Sequence, residues 1–241
     1  MPEKALEGVK VLDLTHHIAG PWCTKLLADY GADVLKVERP EGDPARGMPP
    51  FYHDEIDQDK SLLFLYLNTC KRGITLNLKT LQGRRMFREL LQDVDLLVEN
   101  FSPRVMASLD LGYESLHELN PSLVMVSISN FGQTGPYRDY LASDLVGFAM
   151  GGYMYVTGWP HTPPNKLWGS QAYHTTSNRA YLGILIALFH RLATGQGQHV
   201  DVSCQQAVAK TLAHAPQSWD IEGVVIKRMG VFRQTAADTK V

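Results

Sequence analysis

The sequence predicts an α/β fold of the Rossmann-like kind, a parallel sheet covered by helices. Short β-branched runs alternate with amphipathic helical patterns over most of the chain, and the connections between them are short. Alternation of this kind indicates a parallel sheet covered on both faces. Val9 to Leu14 and Val34 to Glu38 are two such runs. Between them Pro21 to Tyr30 reads as a helix, with proline near its start and Gly31 just past its end. A second unit follows: a strand over Ile74 to Leu78, an amphipathic helix over Thr80 to Gln92 and a buried strand over Val94 to Val98. The helical pattern around Ser115 to Leu119 leads to another strand, Val124 to Ile128. Asn178 to Thr194 forms the strongest helical pattern, stopped by Gly195, and Val200 to Ser203 reads as one further strand. Gln205 to Ala215 reads as helical, and the polar tail from Val224 shows no closing element.

Composition narrows the function classes. Of 241 residues, 44% are hydrophobic and 20% charged, which is the profile of a globular chain with enough length for a sizeable core. The net charge of -2 provides no global basic field for nucleic acid, so a phosphate-bearing ligand must be held by local charges. No apolar run approaches a membrane span, and the first run is too short and too acid-flanked for a signal peptide. The 3 cysteines, Cys23, Cys70 and Cys204, are far apart and odd in number, which argues against a disulfide framework and a cysteine-rich zinc site. A cytoplasmic location is the expectation, with neither nucleic acid nor membrane as partner.

Parallel sheets bind ligands at the carboxyl ends of their strands. Here those ends are Thr15 to Pro21, Glu38-Arg39-Pro40, Glu99-Asn100-Phe101 and Ser129 to Gly132, all rich in glycine, proline or polar residues. His16 and His17 precede the Gly-Pro turn, but no acidic or cysteine partner lies at metal-ligand spacing, so no metal site is assigned.

Read in order, LEGVKVLDLTHHIAGPWCTKLLADYGADVLKVERPEGDPAR, LNTCKRGITLNLKTLQGRRMF, VDLLVENFSP, NPSLVMVSISNFGQTGP and GILIALFHRLATGQGQHVDVS resemble the successive motifs of the class III CoA-transferase family, also called CaiB/BaiF or formyl-CoA transferase-like. The resemblance runs from about Leu6 to about Ala209. It implies a Rossmann-like large domain over 1–215, with 216–241 starting a linker toward a smaller domain that is largely absent from this chain. It also implies dimers, of which a homodimer and a heterodimer with a related chain are both open.

The resemblance further implies CoA or acyl-CoA as substrate, with no tightly bound cofactor, and a small carboxylic acid as acceptor. Ile18 and Ala19 then lie on the first loop against the ligand, and Arg39 meets a phosphate or the adenine. Leu76, Asn77 and Lys79 line the nucleotide, and Asn100, Phe101 and Ser102 match the loop after the third motif. CoA carries a diphosphate and a ribose phosphate, so cations and backbone N–H groups at these places suit it. Where family members carry a further CoA-contacting arginine this chain has Ser108, for which nearby Arg104 is a candidate substitute.

In transferases of the family an aspartate about ten residues before the Gly-Ile-Leu of the long helix attacks the thioester and forms a mixed anhydride. The matching position is Tyr173, and no Asp or Glu occurs between Asp144 and Asp201. The racemase branch uses a histidine and aspartate pair, and Ser143 stands where that histidine falls. His174 and Cys23 are the substitute candidates. A Cys23 thiol at a helix start would be acidified, whereas a small buried side chain packing helix against sheet is the plainer reading, and Cys204 is weighed in the same terms. His174, read in a polar loop, is a base candidate or a surface residue. Gly151 to Tyr155 reads as a glycine-bearing turn near the acyl pocket. Three functions remain open: a CoA-binding subunit whose partner chain supplies the aspartate, an acyl-CoA enzyme of altered chemistry, or a noncatalytic binding protein.

Overall fold

In the computed structural model, residues 4–232, 234–236 and 239–240 are described. The chain runs β1 (Lys10–Asp13), α1 (Ala19–Asp29), β2 (Asp33–Glu38), α2 (Leu62–Leu67), β3 (Arg72–Thr75), α3 (Leu81–Leu91) and β4 (Leu96–Glu99). It continues through α4 (Val105–Ser108), α5 (Tyr113–Leu119), β5 (Val124–Ser129), α6 (Asp144–Met150), α7 (Tyr153–Val156), α8 (Gln171–Thr194), β6 (His199–Ser203), α9 (Cys204–Ala209) and α10 (Ala215–Glu222). A short antiparallel pair, β7 (Gln234–Ala236) and β8 (Thr239–Lys240), follows.

The first six strands form one sheet in the order β3-β2-β1-β4-β5-β6, parallel throughout. Strand alternation divides the apolar residues between two faces. Val11, Val34, Leu96, Val98, Val124 and Val126 pack with Leu27 of α1 and Ile184 of α8. Leu12, Leu97 and Met125 face the other way, onto Phe87 and Leu91 of α3 and Leu116 of α5. The strand order reverses at β1 and β4, and a crevice opens there above the carboxyl ends.

Several elements differ from the sequence reading. β3 occupies 72–75 rather than 74–78, so residues 76–79 form the turn before α3, where the Asn77 side chain accepts the Lys79 N–H at 3.0 Å. A Cβ on Gly83 would lie 1.9 Å from the Asn77 carbonyl oxygen, so glycine alone lets α3 start against this turn. α8 begins at Gln171, one to two turns before Asn178, and carries His174 within a helix rather than a polar loop. The helical stretch read over 205–215 breaks after Ala209, and the β7–β8 pair lies in the tail read as lacking a closing element.

Beneath the crevice the fold buries charge. Asp13 is wholly buried, and its carboxylate accepts from the Thr15 hydroxyl at 2.5 Å, the Thr24 hydroxyl at 2.6 Å and Lys71 Nζ at 3.0 Å. Burial alone would raise its pKa, but Lys71, Lys36 and the two hydroxyls overcome that and hold it well below the carboxylate range. Lys36, also buried, donates to the Thr15 carbonyl at 2.7 Å and pairs with Asp43 at 3.0 Å. Asp13→Ala leaves the Lys71 ammonium buried without its counter-ion, so urea unfolding should show a loss of about 3–5 kcal/mol; a loss under 1 kcal/mol would contradict this account.

Glu99 ends β4, is 3% exposed, and accepts the Phe101 N–H at 2.7 Å. Burial outweighs the hydrogen bonds from Ser127 and Phe101 and pushes its carboxyl up to about 7. Its folded pKa lies above the unfolded value, so protonation favours the fold. That stability is fully present below about pH 4.5 and is lost as pH rises through 7. Glu99→Gln keeps an acceptor for Phe101 and removes the titration. The melting temperature of wild type should therefore fall further between pH 5 and pH 8 than that of the variant, and parallel falls would refute the assignment.

Candidate functional site

The loop after β1 is the centre of the crevice. A Cβ on Gly20 would stand 2.2 Å from Thr15 Cβ, so the Gly-Pro start of α1 folds tightly back on the strand end. His17 takes a left-handed φ of 62°, and its N–H is held by Asp43 Oδ1 at 3.0 Å. His16 and Asn100 clasp each other across β1 and β4: the Asn100 side chain accepts the His16 N–H and donates to its carbonyl, both at 2.9 Å. The Phe101 ring lies against the His16 imidazole at 5.5 Å. Burial first, then the neighbouring His17, depress His16 to about 4, so its ring is neutral near pH 7.

His16, His17 and Phe101 stand between two cavities and line both. One, about 650 Å³, lies over the ends of β2 and β3 and is walled by Arg39, Pro40, Leu76, Asn77, Lys79 and Ser108 among others. The other, about 570 Å³, lies over β1, β4 and β5 and is walled by Ile18, Ala19, Asn100, Ser102, Asn130, Arg138, Tyr173, Thr176 and Cys204 among others. The residues singled out as ligand contacts thus fall into two groups that meet at Phe101. Arg39 and Asn100 directly follow strands, whereas Lys79 sits four residues past β3, exposed on the turn. Arg39 is solvent-facing, with Nε on the Gly42 carbonyl at 3.0 Å. Arg104 turns to Asp139 at 2.8 Å and lines neither cavity.

Tyr173 sits in the first turn of α8, half-buried, with its side chain on the wall of the smaller cavity. Burial, then Cys204 and Asp144, push its phenol up to about 12. Its backbone N–H is accepted by Asp144 Oδ1 at 3.2 Å, and Asp144 Oδ2 pairs with Lys166 at 3.0 Å. A carboxylate therefore stands beside position 173, although none is near it in sequence. Asp144 caps the helix from behind and does not line the cavity.

The substitute nucleophiles are not placed for attack. Cys23 is fully buried in the core between α1 and the sheet, and burial followed by Asp13 raises its thiol pKa, the opposite of acidification at a helix start. His174 turns away from both cavities, its ring edge-on to Trp22 at 5.0 Å, and burial lowers its pKa. Cys204 does reach the cavity wall, but it is 1% exposed with its pKa raised by burial. Gly152, at a φ of 85°, makes the expected turn before Tyr153, but that turn lines a separate cavity with Leu212 and His214. Among the described residues no helix is long and apolar enough to cross a membrane.

Relatives share this frame. The chain is 37% identical over its full length to succinyl-CoA–D-citramalate CoA-transferase of Chloroflexus aurantiacus, covering 59% of that protein. It is 40% identical, over 95% of its length and 55% of the relative's, to the BbsE subunit of succinyl-CoA:(R)-benzylsuccinate CoA-transferase of Thauera aromatica. A crystal structure of a CaiB/BaiF family protein from Brucella suis superposes with a TM-score of 0.89 at 37% identity, over 95% of this chain and 60% of that one. The chain thus spans less than two thirds of each of these relatives, and the part it shares with the Brucella suis structure is the Rossmann-like large domain. The model of CoA-transferase family III matches residues 6–241, and the chain belongs to that family.

Proposed function

We propose that the chain binds CoA or an acyl-CoA as a subunit of a class III CoA-transferase, and that a related chain bearing the catalytic aspartate completes CoA transfer between an acyl-CoA and a carboxylic acid. Tyr173 carries this reading, because it brings a phenol to the cavity wall at the position where the resemblance implies the family's nucleophilic carboxylate. In the family reaction a carboxylate attacks the thioester carbonyl, releases CoA thiolate and becomes a mixed anhydride that the acceptor acid can open. A phenol held near pKa 12 is protonated at neutral pH, and its aryl ester is far less reactive than an anhydride. A relative at 40% identity is named as a subunit, which agrees with a divided enzyme.

The two cavities suit the two ends of an acyl-CoA. In this reading the nucleotide lies over β2 and β3, with Arg39 and Lys79 on its phosphates and Leu76 and Asn77 along its edge. The pantetheine passes Phe101, and Ile18, Ala19, Asn100 and Ser102 border the thioester in the smaller cavity. Residues 1–215 then form the CoA-binding unit, and 216–241 lead toward the smaller domain.

The purified chain should show no CoA exchange between acyl-CoA and free carboxylic acids, and addition of an aspartate-bearing partner chain should restore it. Robust exchange by the chain alone, abolished by Tyr173→Phe, would instead install the phenol as nucleophile. Arg39→Ala should weaken CoA binding in calorimetry by roughly 1.5–3 kcal/mol through loss of a charge-assisted contact. Equal affinity in the variant would remove Arg39 from the site.

A further inference from the structure

One row of the sheet, across β4, β5 and β6, is polar. Register pairs Glu99 with Ser127 and Ser127 with Asp201, so the three side chains share the face that carries Leu97 and Met125. Glu99, buried at the end of β4, takes the Phe101 N–H at 2.7 Å and is hydrogen-bonded by Ser127. The Ser127 hydroxyl, itself on a residue 1% exposed, lies 2.9 Å from His199 Nε2 on β6. Of Glu99, Ser127 and His199 only the last is exposed, its ring stacked on Tyr113 of α5 at 5.1 Å. The helices packed on this face bring Phe87, Leu91 and Met106 from α3 and α4, and from α5 Glu114 near His199 and His117 on the Tyr113 hydroxyl at 3.4 Å. Asp201 turns Oδ2 to the Gln133 N–H at 2.8 Å. The charges that bear on Glu99 and His199 are thus those of Asp201 and Glu114, both carboxylates, which favour a proton held between them.

A hydroxyl between a carboxyl and an imidazole joins them in one of two senses. With Glu99 ionised, Ser127 donates to the carboxylate and accepts from the Nε2–H of His199. With Glu99 protonated, the carboxyl donates to Ser127, and Ser127 donates to a bare His199 Nε2 whose ring proton is on Nδ1. We propose that His199, Ser127 and Glu99 form a proton relay from the surface to the support of Phe101, with Glu99 and His199 as positioning residues for the wall between the two cavities. A proton taken from water at His199 Nδ1 releases the Nε2 proton to Ser127 Oγ, whose own proton passes to the Glu99 carboxylate. One proton enters, and the ring ends neutral with its proton on Nδ1. The hydrogen bond from the Phe101 N–H then loses its charge assistance and weakens. Phe101 lines both cavities, so the change reaches each of them. Burial holds the Glu99 carboxyl at about 7 and lowers His199, so the relay turns over near neutral pH with the imidazole uncharged before and after.

The test follows the histidine ring nitrogens and the Phe101 amide proton by NMR on the full chain as pH is lowered. His199 Nε2 should change from protonated to bare as pH falls through about 7, and the Phe101 amide proton should move upfield with the same midpoint. Ser127→Ala should abolish the tautomer change while Phe101 still titrates, and Glu99→Gln should abolish both. A single His199 tautomer on both sides of the Phe101 midpoint, or a tautomer change that survives Ser127→Ala, would overturn the relay. One further consequence rests on the CoA reading above. The ratio of CoA affinity at pH 8 to that at pH 6 should be about fivefold larger in wild type than in Glu99→Gln, the difference between a charge-assisted and a neutral hydrogen bond. The comparison cancels the ionisation of CoA itself. Equal ratios would overturn the positioning role, whereas failure of wild type to bind CoA at either pH would overturn the CoA reading alone, the relay being decided by the NMR signals.

Discussion

The buried ion pair of Asp13 with Lys71 fixes the floor on which the crevice is built. Asp13 is the last residue of β1, and its carboxylate takes hydrogen bonds from the next turn, at Thr15, and from the helix beyond, at Thr24. Lys71 also donates to the Pro21 carbonyl and to Asn68, so the charge that neutralises Asp13 ties the start of α1 to the segment entering β3. Lys36 repeats the device one strand over, joining the Thr15 carbonyl to Asp43. Such pairs add little stability compared with an apolar core of the same shape, but either partner alone is costly to bury. Their effect is to hold the loop from Thr15 to Pro21 in one conformation.

That loop meets the β4 loop where the strand order reverses. Neighbouring crossovers leave in opposite directions there, and the backbone of His16 has no further strand to pair with. The Asn100 side chain takes the place of that strand, accepting and donating as a β-partner would. The clasp satisfies part-buried backbone groups and sets Phe101 and His16 between the two cavities. One constraint therefore shapes both halves of the site, and Glu99, which holds the Phe101 N–H, belongs to the same support.

Much of this was legible in the sequence, because β-branched runs alternate with helical patterns and loops rich in glycine, proline or polar residues follow most of the strands. The start of α8 was not, because Tyr173, His174, Thr176 and Ser177 lack an apolar period. The helix forms there through tertiary partners: Asp144 accepts the Tyr173 N–H, and the Ser177 hydroxyl reaches the Ala19 carbonyl at 2.5 Å. Nothing in the sequence singled out Lys36, Asp43 or Lys71, whose charged groups the fold buries in pairs with carboxylates or lysines far along the chain or in a loop. Arg138 lies in a polar loop without periodicity, and only the path of residues 133–142 brings it to the cavity wall. The contacts that went unread are those made between residues far apart in the chain.

Position 173 draws these strands together. The frame that presents its side chain consists of the Asp144 cap, the Lys166 pair behind it and the Ser177 bond to the α1 start, and every one of these contacts uses backbone atoms or neighbouring side chains. None depends on the group at the tip of residue 173. The Tyr173 ring itself packs in part against the apolar clusters beside α8. What residue 173 offers the cavity is a phenol that burial keeps protonated near neutral pH. The loops around the crevice are held by buried charge and by the clasp, whereas residue 173 stands on a helix capped separately by Asp144.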